Sequence, residues 1–308
     1  MPSSDSNVPQ LIAVYGPTAS GKSVVAEWLA HELDAQLVSA DAFQIYRGLN
    51  IGTNKPSPPD AYLMVDVCDP MDRYGLGAYL SDVGNHLTRL FQEGKNVVMV
   101  GGTGLYLRAL LDRWDEISPA PTPEVRKYYD ACLAEHGIQW LANLLLERAP
   151  HVASKTDLKN PARVRRALEK LETPSEPIPV VLPEFKITKI GLEIPRDPLN
   201  ERIESRVHAM VSAGWIEEVE HLLNEGVSPT CQAFQAIGYS ALARHITQGA
   251  HLAIVLDQII QETVEYAKRQ RTWLRSERNL TWIQSVVPVQ TVGEPLASQL
   301  RRVAIELK

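Results

Sequence analysis

The eight residues Gly16-Pro17-Thr18-Ala19-Ser20-Gly21-Lys22-Ser23 constrain the fold of this chain more than any other stretch. They satisfy G-x-x-x-x-G-K-[ST] at every fixed position, and their flanks agree with the pattern. Residues 11–15 read as a buried strand. Residues 24–33 read as a helix with Val24, Val25, Trp28 and Leu29 on one face. A strand, a glycine-rich turn and a helix in that order gather backbone N–H groups and a helix N-terminus around an anion. Lys22 can reach the outer phosphate oxygens, and the Ser23 hydroxyl can serve a magnesium ion. The competing reading, a glycine turn that binds nothing, leaves the Lys22-Ser23 pair unexplained.

The same rhythm recurs downstream. Residues 36–39 form a second strand expectation, ending at Asp41. The stretch 41–56 has no clean period and reads as a short helix and a loop. Residues 62–67 are a third strand expectation that also carries an acid, Asp66. The spacing of Tyr79, Leu80, Val83, Leu87, Leu90 and Phe91 predicts a helix over 77–93, with Gly94 as its stop. The apolar run 96–100 leads into Gly101-Gly102-Thr103-Gly104 and a helix over 105–111. Strand, glycine loop and helix in repetition predict an α/β fold. It is a P-loop NTPase-like parallel sheet flanked by helices, with ligands at the carboxyl ends of the strands.

After Arg113 the pattern changes. Ser118-Pro119-Ala120-Pro121-Thr122-Pro123 breaks the chain, and helices follow over 123–136, 138–148 and 160–171. A mostly helical insertion is therefore expected over 118–157, within a core of 1–117 and 158–308. A proline-rich connector covers 174–183, and 186–194 reads as a core strand. Helices are expected over 198–213 (continuing through Gly214 toward Leu223), 236–247 and about 252–278. A short edge strand at 280–283 and a final helix close the chain. The first eight or so residues are expected to be frayed.

Composition narrows the function classes. Among 308 residues, 44% are hydrophobic and 22% charged, as in ordinary globular chains. The net charge of −6 excludes a uniformly basic coat but not a local basic groove. Cys68, Cys132 and Cys231 are far apart and form no C-x-x-C pair, so neither a disulfide framework nor a zinc site is expected, and a cytoplasmic setting is. No apolar run suits a signal peptide or a membrane span. A monomer is the expected state.

The P-loop specifies phosphate but not a reaction. A hydrolytic NTPase also needs a strand-end acid for its metal, and Asp41 and Asp66 both qualify by position. Two basic stripes add a second theme. Lys159, Arg163, Arg166 and Lys170 share one helix face, and so do Lys268, Arg271, Arg275 and Arg278. Each alone suits a solvated face. Two of them in an acidic chain, one beside Trp273, put an RNA groove level with that reading. Arg202 and Arg206 form a third pair one turn apart, beside Asp197, Glu201 and Glu204, which also permit ordinary helix salt bridges.

Taken together, these stretches resemble the tRNA dimethylallyltransferase (tRNA isopentenyltransferase) family, bacterial type, over nearly the whole chain. The resemblance is carried by the P-loop, by Asp41 with Gln44 and Tyr46, and by Ile51-Gly52-Thr53-x-Lys55-Pro56. It continues in Gly101-Gly102-Thr103-Gly104-Leu105-Tyr106, Arg163-x-x-Arg166-Ala167-Leu168-Glu169 and Gln235-Ala236-Ile237-Gly238-Tyr239. It ends in Ala267-Lys268-Arg269-Gln270-x-Thr272-Trp273-Leu274-Arg275. The resemblance implies transfer of a dimethylallyl group from dimethylallyl diphosphate to the exocyclic amine of the adenine just 3′ of a tRNA anticodon. Residues Gly16 to Ser23 would hold the diphosphate with Arg202 and Arg206, and magnesium would sit at Ser23.

Asp41 would orient and deprotonate the amine, and Thr103 would hydrogen-bond the bridging oxygen. Contacts to tRNA are implied at Asp41, Ala42, Phe43, Gln44, Thr103, Arg126, Ala162, Arg163, Arg166, Gln235, Gly238, Tyr239, Lys268, Arg269, Arg271, Trp273 and Arg275. The chain departs from the family pattern at Ala42-Phe43, where Ser-Arg is usual, and at Ala61-Tyr62-Leu63 and Lys159-Asn160-Pro161. The segment after Glu169 looks shortened, and the C-terminal zinc finger of some eukaryotic members is absent. Other readings are an adenylate dimethylallyltransferase making cytokinin, a P-loop small-molecule kinase, or a nucleotide-switched RNA-binding protein. The basic stripes favour a polymer acceptor.

Overall fold

The structure, a computed structural model, describes residues 8–172, 176–285 and 289–305, with side chains through 303. In chain order the elements are β1 (Gln10–Tyr15), α1 (Lys22–Leu33), β2 (Gln36–Ser39), β3 (Tyr62–Leu63), α2 (Leu76–Gln92), β4 (Val97–Val100) and α3 (Gly104–Leu111). Next come β5 (Glu116–Ile117), α4 (Pro123–Arg148), α5 (Pro150–Ala153), α6 (Pro161–Glu172), β6 (Ile178–Pro179) and β7 (Lys186–Glu193). The chain continues through α7 (Arg196–Ser212), α8 (Trp215–Asn224), α9 (Tyr239–Gln248), α10 (Leu252–Leu274), β8 (Leu280–Gln284) and α11 (Glu294–Ile305). Residues 1–7, expected to be frayed, and residues 173–175, at the edge of the proline-rich connector, lie outside the described residues.

The main sheet has six strands in the order β3-β2-β4-β1-β7-β8, and every pairing is parallel. The central strands are covered on both faces, which is why β1 and β4 are unbroken apolar runs rather than alternating ones. Helix α1 packs Val25, Ala26 and Leu29 against Ile12, Val14, Val98 and Val100. Because β1, β2 and β4 run the same way, their carboxyl ends share one edge. Val100 is in register with both Val14 and Ser39. The P-loop, the Asp41 turn and the second glycine loop leave from those three ends, so the topology alone makes them neighbours.

The chain divides into two compact units, residues 1–113 with 181–308, and Trp114–Val180. The second unit therefore reaches beyond the expected 118–157. Helix α6 belongs to it because Val164, Ala167 and Leu168 share a core with Tyr129, Leu141 and Leu145 of α4. The antiparallel pair β5–β6, which sequence periodicity did not reveal, is part of the same unit. Helix α4 contains Gly137 at φ 77° and ψ 177°, so the expected helices 123–136 and 138–148 meet there at a kink.

Other boundaries also move. Strand β3 stops after two residues, not at 67, because Met64 and Asp66 take positive φ angles of 64° and 54°. The helix expected to run through Gly214 ends before it, since Gly214 lies at φ 99° and starts α8. Helix α9 begins at Tyr239, after Gly238 at φ 93°. Helix α10 ends at Leu274, so Arg275 is its C-cap and Arg278 is not on the stripe expected for it.

Candidate functional site

The P-loop begins where β1 ends and α1 starts. Its turn requires left-handed backbone at Ala19 (φ 63°) and Gly21 (φ 88°). The Ser20 N–H donates to Pro17 O at 3.2 Å, and the Ser20 carbonyl accepts from Val289 N at 2.9 Å. Lys22 Nζ lies 3.5 Å from Pro17 O. Burial, reinforced by the nearby Arg206 cation and opposed by Asp41, pulls the Lys22 ammonium down to about 8. Burial and the neighbouring Arg202 likewise lower Arg206 to about 10. Burial is the larger cause of both shifts, and the neighbouring cation adds to each.

Helix α7 supplies the arginines. It buries Leu199, Ile203, Val207 and Met210, and Leu199 and Ile203 share a core with Ala19 of the P-loop and Ala267 of α10. That leaves Arg202 and Arg206, one turn apart, on the face toward the loop. Arg206 Nη2 donates to Thr18 Oγ1 at 2.6 Å. Arg202 Nε and Ser20 Oγ are buried without a hydrogen-bond partner among the described residues. Unpaired buried donors beside a helix N-terminus fit an anion, which would satisfy them.

Asp41 stands opposite. Its Oδ1 accepts from Phe43 N at 2.9 Å and more loosely from Gln44 N at 3.4 Å, an aspartate closing its own turn. Asp41 Oδ2 has no hydrogen-bond partner among the described residues. Thr103 Oγ1 accepts from Ala42 N at 2.8 Å, and Thr103 N donates to Ala40 O at 3.1 Å. The Thr103 hydroxyl is thereby fixed and keeps its own proton to donate. Gly102 faces the ends of three side chains closely. A Cβ there would meet Tyr266 Oη at 2.9 Å, Gln270 Nε2 at 3.0 Å and Asp41 Oδ2 at 3.1 Å.

One cavity of about 210 Å³ joins these parts. Thr18, Lys22, Ser23, Asp41, Arg202 and Arg206 line it, with Gly101 and Gly102 of the second glycine loop. Ser23 brings a hydroxyl at the first turn of α1. No cluster of three or more His, Cys, Asp or Glu suited to a metal is present among the described residues. That donor set fits magnesium held mainly by phosphate oxygens and water, with Ser23 as the protein ligand. Asp66, the other acid with a plausible position, does not line the cavity. It is ion-paired with Lys55, whose Nζ also reaches Asn50 Oδ1 at 2.9 Å.

The remaining expected residues divide by role. Lys268, Arg269 and Arg275 are exposed on α10 and Arg271 is half-buried, while Thr263, Ala267, Gln270 and Leu274 face inward. Trp273 does not offer an open ring. It packs 5.5 Å from Tyr15, and the Arg108 guanidinium lies 5.2 Å from its centre. The Gln44 amide is used internally, bonded to Ser39 Oγ and to the carbonyls of Thr53 and Asn54. Gln235 is exposed, whereas Gly238 is buried.

Tyr239 is fully buried and donates to Glu218 Oε1 at 2.6 Å. Burial holds its phenol well above the ordinary value. Glu218 Oε2 accepts from the N–H groups of Asn50 and Ile51, so Tyr239 braces the 50–56 loop instead of presenting its hydroxyl to a partner. In the second unit Ala162 and Arg163 are exposed. Arg126 and Arg166 turn onto the buried Glu169 carboxylate at 3.2 Å and 3.4 Å, together with Arg165 at 3.5 Å.

Several cavity residues escaped sequence reasoning as site residues, among them Glu27, Tyr62, Tyr266 and Gln270. The signal for Gln270 was available: an amide on the mostly apolar inward face of α10.

The IPP transferase family model matches residues 44–277, and the isopentenyl transferase model matches 9–62. A tRNA dimethylallyltransferase of Thermomicrobium roseum is 34% identical over 287 residues, covering 90% of this chain and 87% of its own length. One from Bacillus subtilis is 34% identical over 289 residues, with 91% and 92% covered. Among solved structures, a tRNA isopentenylpyrophosphate transferase from Bacillus halodurans superposes with a TM-score of 0.69 at 29% identity. It covers 97% of this chain and 95% of that one.

Proposed function

The chain belongs to the IPP transferase family, whose curated relatives are tRNA dimethylallyltransferases, and from that premise we propose that it prenylates tRNA. The reaction moves a dimethylallyl group from dimethylallyl diphosphate to the exocyclic amine of the adenine 3′ to the anticodon. The observation that carries this reading is the shared cavity. A diphosphate cradle (Lys22, Arg202, Arg206) and a carboxylate with one free oxygen (Asp41 Oδ2) open onto the same space.

The residues suit the chemistry. The amine lone pair is delocalised into the adenine ring, so it needs orientation and removal of a proton as it attacks. Asp41 Oδ2 accepts that proton while the new N–C bond forms. The allylic C–O bond breaks, and its electron pair leaves on the diphosphate oxygen. Lys22, Arg202, Arg206 and the P-loop amides stabilise the departing charge, and Thr103 donates to the bridging oxygen. Magnesium at Ser23, when bound, supplies further neutralisation of the diphosphate. The acceptor base must leave its stack to enter such a site. The exposed Lys268, Arg269 and Arg275, with Arg271, would track the RNA backbone, and Ala162 and Arg163 would add contacts from the second unit. No described helix is long and apolar enough to cross a membrane, and we place the enzyme in the cytoplasm, where its tRNA is.

The test offers labelled dimethylallyl diphosphate and magnesium with unmodified tRNA, AMP or ATP as acceptor. Label in tRNA alone supports the reading. Label in AMP instead would make the chain an adenylate dimethylallyltransferase.

A further inference from the structure

Gln270 is 7% exposed and sits between the two halves of the site. Its Oε1 accepts from the P-loop N–H of Thr18 at 2.7 Å, and its Nε2 donates to the Gly102 carbonyl at 3.0 Å. The Tyr266 hydroxyl donates to that same carbonyl at 2.8 Å. Gly102 adjoins Thr103, whose hydroxyl holds Ala42 N next to Asp41. Thr18 in turn holds Arg206. One planar amide therefore connects the diphosphate cradle to the loops that carry Asp41 and Thr103, with both of its ends satisfied.

We propose that Gln270 is a positioning residue for the transfer reaction: its amide sets the separation between the leaving-group cradle and the Asp41–Thr103 pair, and Tyr266 supports it at Gly102. Neither residue needs to touch a reacting atom to do so. The two substrates bind chiefly through other groups, the cations of the cradle and the exposed arginines of α10. Loss of the bridge should therefore leave binding intact and misplace the reactants against each other. A misplacement near 1 Å costs on the order of 100-fold in rate. The inference rests on the proposed prenyl transfer, in which the two loops serve opposite partners.

The experiment compares Gln270→Met, Gln270→Asn and Tyr266→Phe with the wild type. Single-turnover transfer is measured at saturating donor and tRNA, alongside affinities for inorganic pyrophosphate and for tRNA. Hydrogen exchange at the Thr18 amide gives a readout independent of activity. Gln270→Met should lower the saturated rate about 30-fold or more, keep both affinities within about threefold, and speed Thr18 exchange. Gln270→Asn, one methylene short, cannot reach both loops and should be as slow as the Met variant. Tyr266→Phe should cost less, and combining it with Gln270→Met should be non-additive because both bonds end on one carbonyl.

A saturated rate near wild type in Gln270→Met, a loss confined to affinity, or full rescue by Asn would overturn the inference. Failure of the wild type to label tRNA would overturn the prenyl reading itself. Thr18 exchange would then still decide the bridge: unchanged protection in Gln270→Met removes it.

Discussion

The Thr18 backbone N–H donates to Gln270 Oε1 at 2.7 Å across 252 residues of sequence. This bond ties a loop between the first strand and first helix to a helix near the end of the chain. It fixes the P-loop from outside, since the loop's own hydrogen bonds do not use the Thr18 amide. The site thus draws on three distant segments: 16–23 and the arginines of α7 form the proposed diphosphate cradle, and the inward face of α10 braces it.

The cradle sets a pH dependence. Lys22 is held down to about 8, so below that pH it is charged and binds diphosphate directly. Above it Lys22 is neutral, and binding must take up a proton. Diphosphate affinity should fall by up to about tenfold per pH unit above 8, with proton uptake visible as a buffer-dependent binding enthalpy. Lys22→Ala should remove this dependence and abolish turnover while leaving the thermal transition near wild type, because Lys22 contributes little packing.

The stripe on α10 makes a separate prediction. Arg271→Glu with Arg275→Glu should weaken tRNA binding and flatten its dependence on salt, because each lost phosphate contact lowers the slope by about 1. Affinity for dimethylallyl diphosphate should be unchanged. Filter binding over a salt titration checks this, and an unaltered tRNA affinity would make the stripe an ordinary solvated face.

Tyr239→Phe separates a buried brace from an RNA contact. It deletes the hydroxyl that Glu218 Oε1 accepts, leaving that oxygen without its partner at a cost of about 1–3 kcal/mol. Chemical denaturation should report that loss, and tRNA affinity should not move. A stable variant with weakened tRNA binding would restore the contact role that the motif suggests.

These outcomes mark what the sequence could convey. Local order carried the parallel α/β sheet, because strand, glycine loop and helix follow one another within a few residues. It also carried the turn at 16–23 between β1 and α1, whose residues are contiguous. The motif around Tyr239 carried no such information. Gly238-Tyr239 is written like a surface signature, yet Trp215 lies against both Gly238 and Gly52 and drives it inside. Arg126 looks like a free cation in sequence, and only the fold brings the Glu169 carboxylate to it, whereas Arg166 meets Glu169 at i,i+3 on its own helix. Asp41 and Asp66 were equivalent by position until Lys55 claimed the second. The burial of Tyr239 and the pairing of Arg126 depend on contacts between segments far apart in the chain, which periodicity does not encode.

Asp41→Asn tests the central claim most directly. Asparagine keeps the shape and can accept from Phe43 N, so RNA and diphosphate should both bind, but it cannot take the amine proton. Single-turnover prenylation of tRNA across a magnesium titration should show a rate reduced by about 10²–10⁴, expressed in kcat more than KM, that magnesium does not restore. Rescue by magnesium together with lost diphosphate affinity would assign Asp41 to the metal, and a wild-type rate would contradict its place in the mechanism.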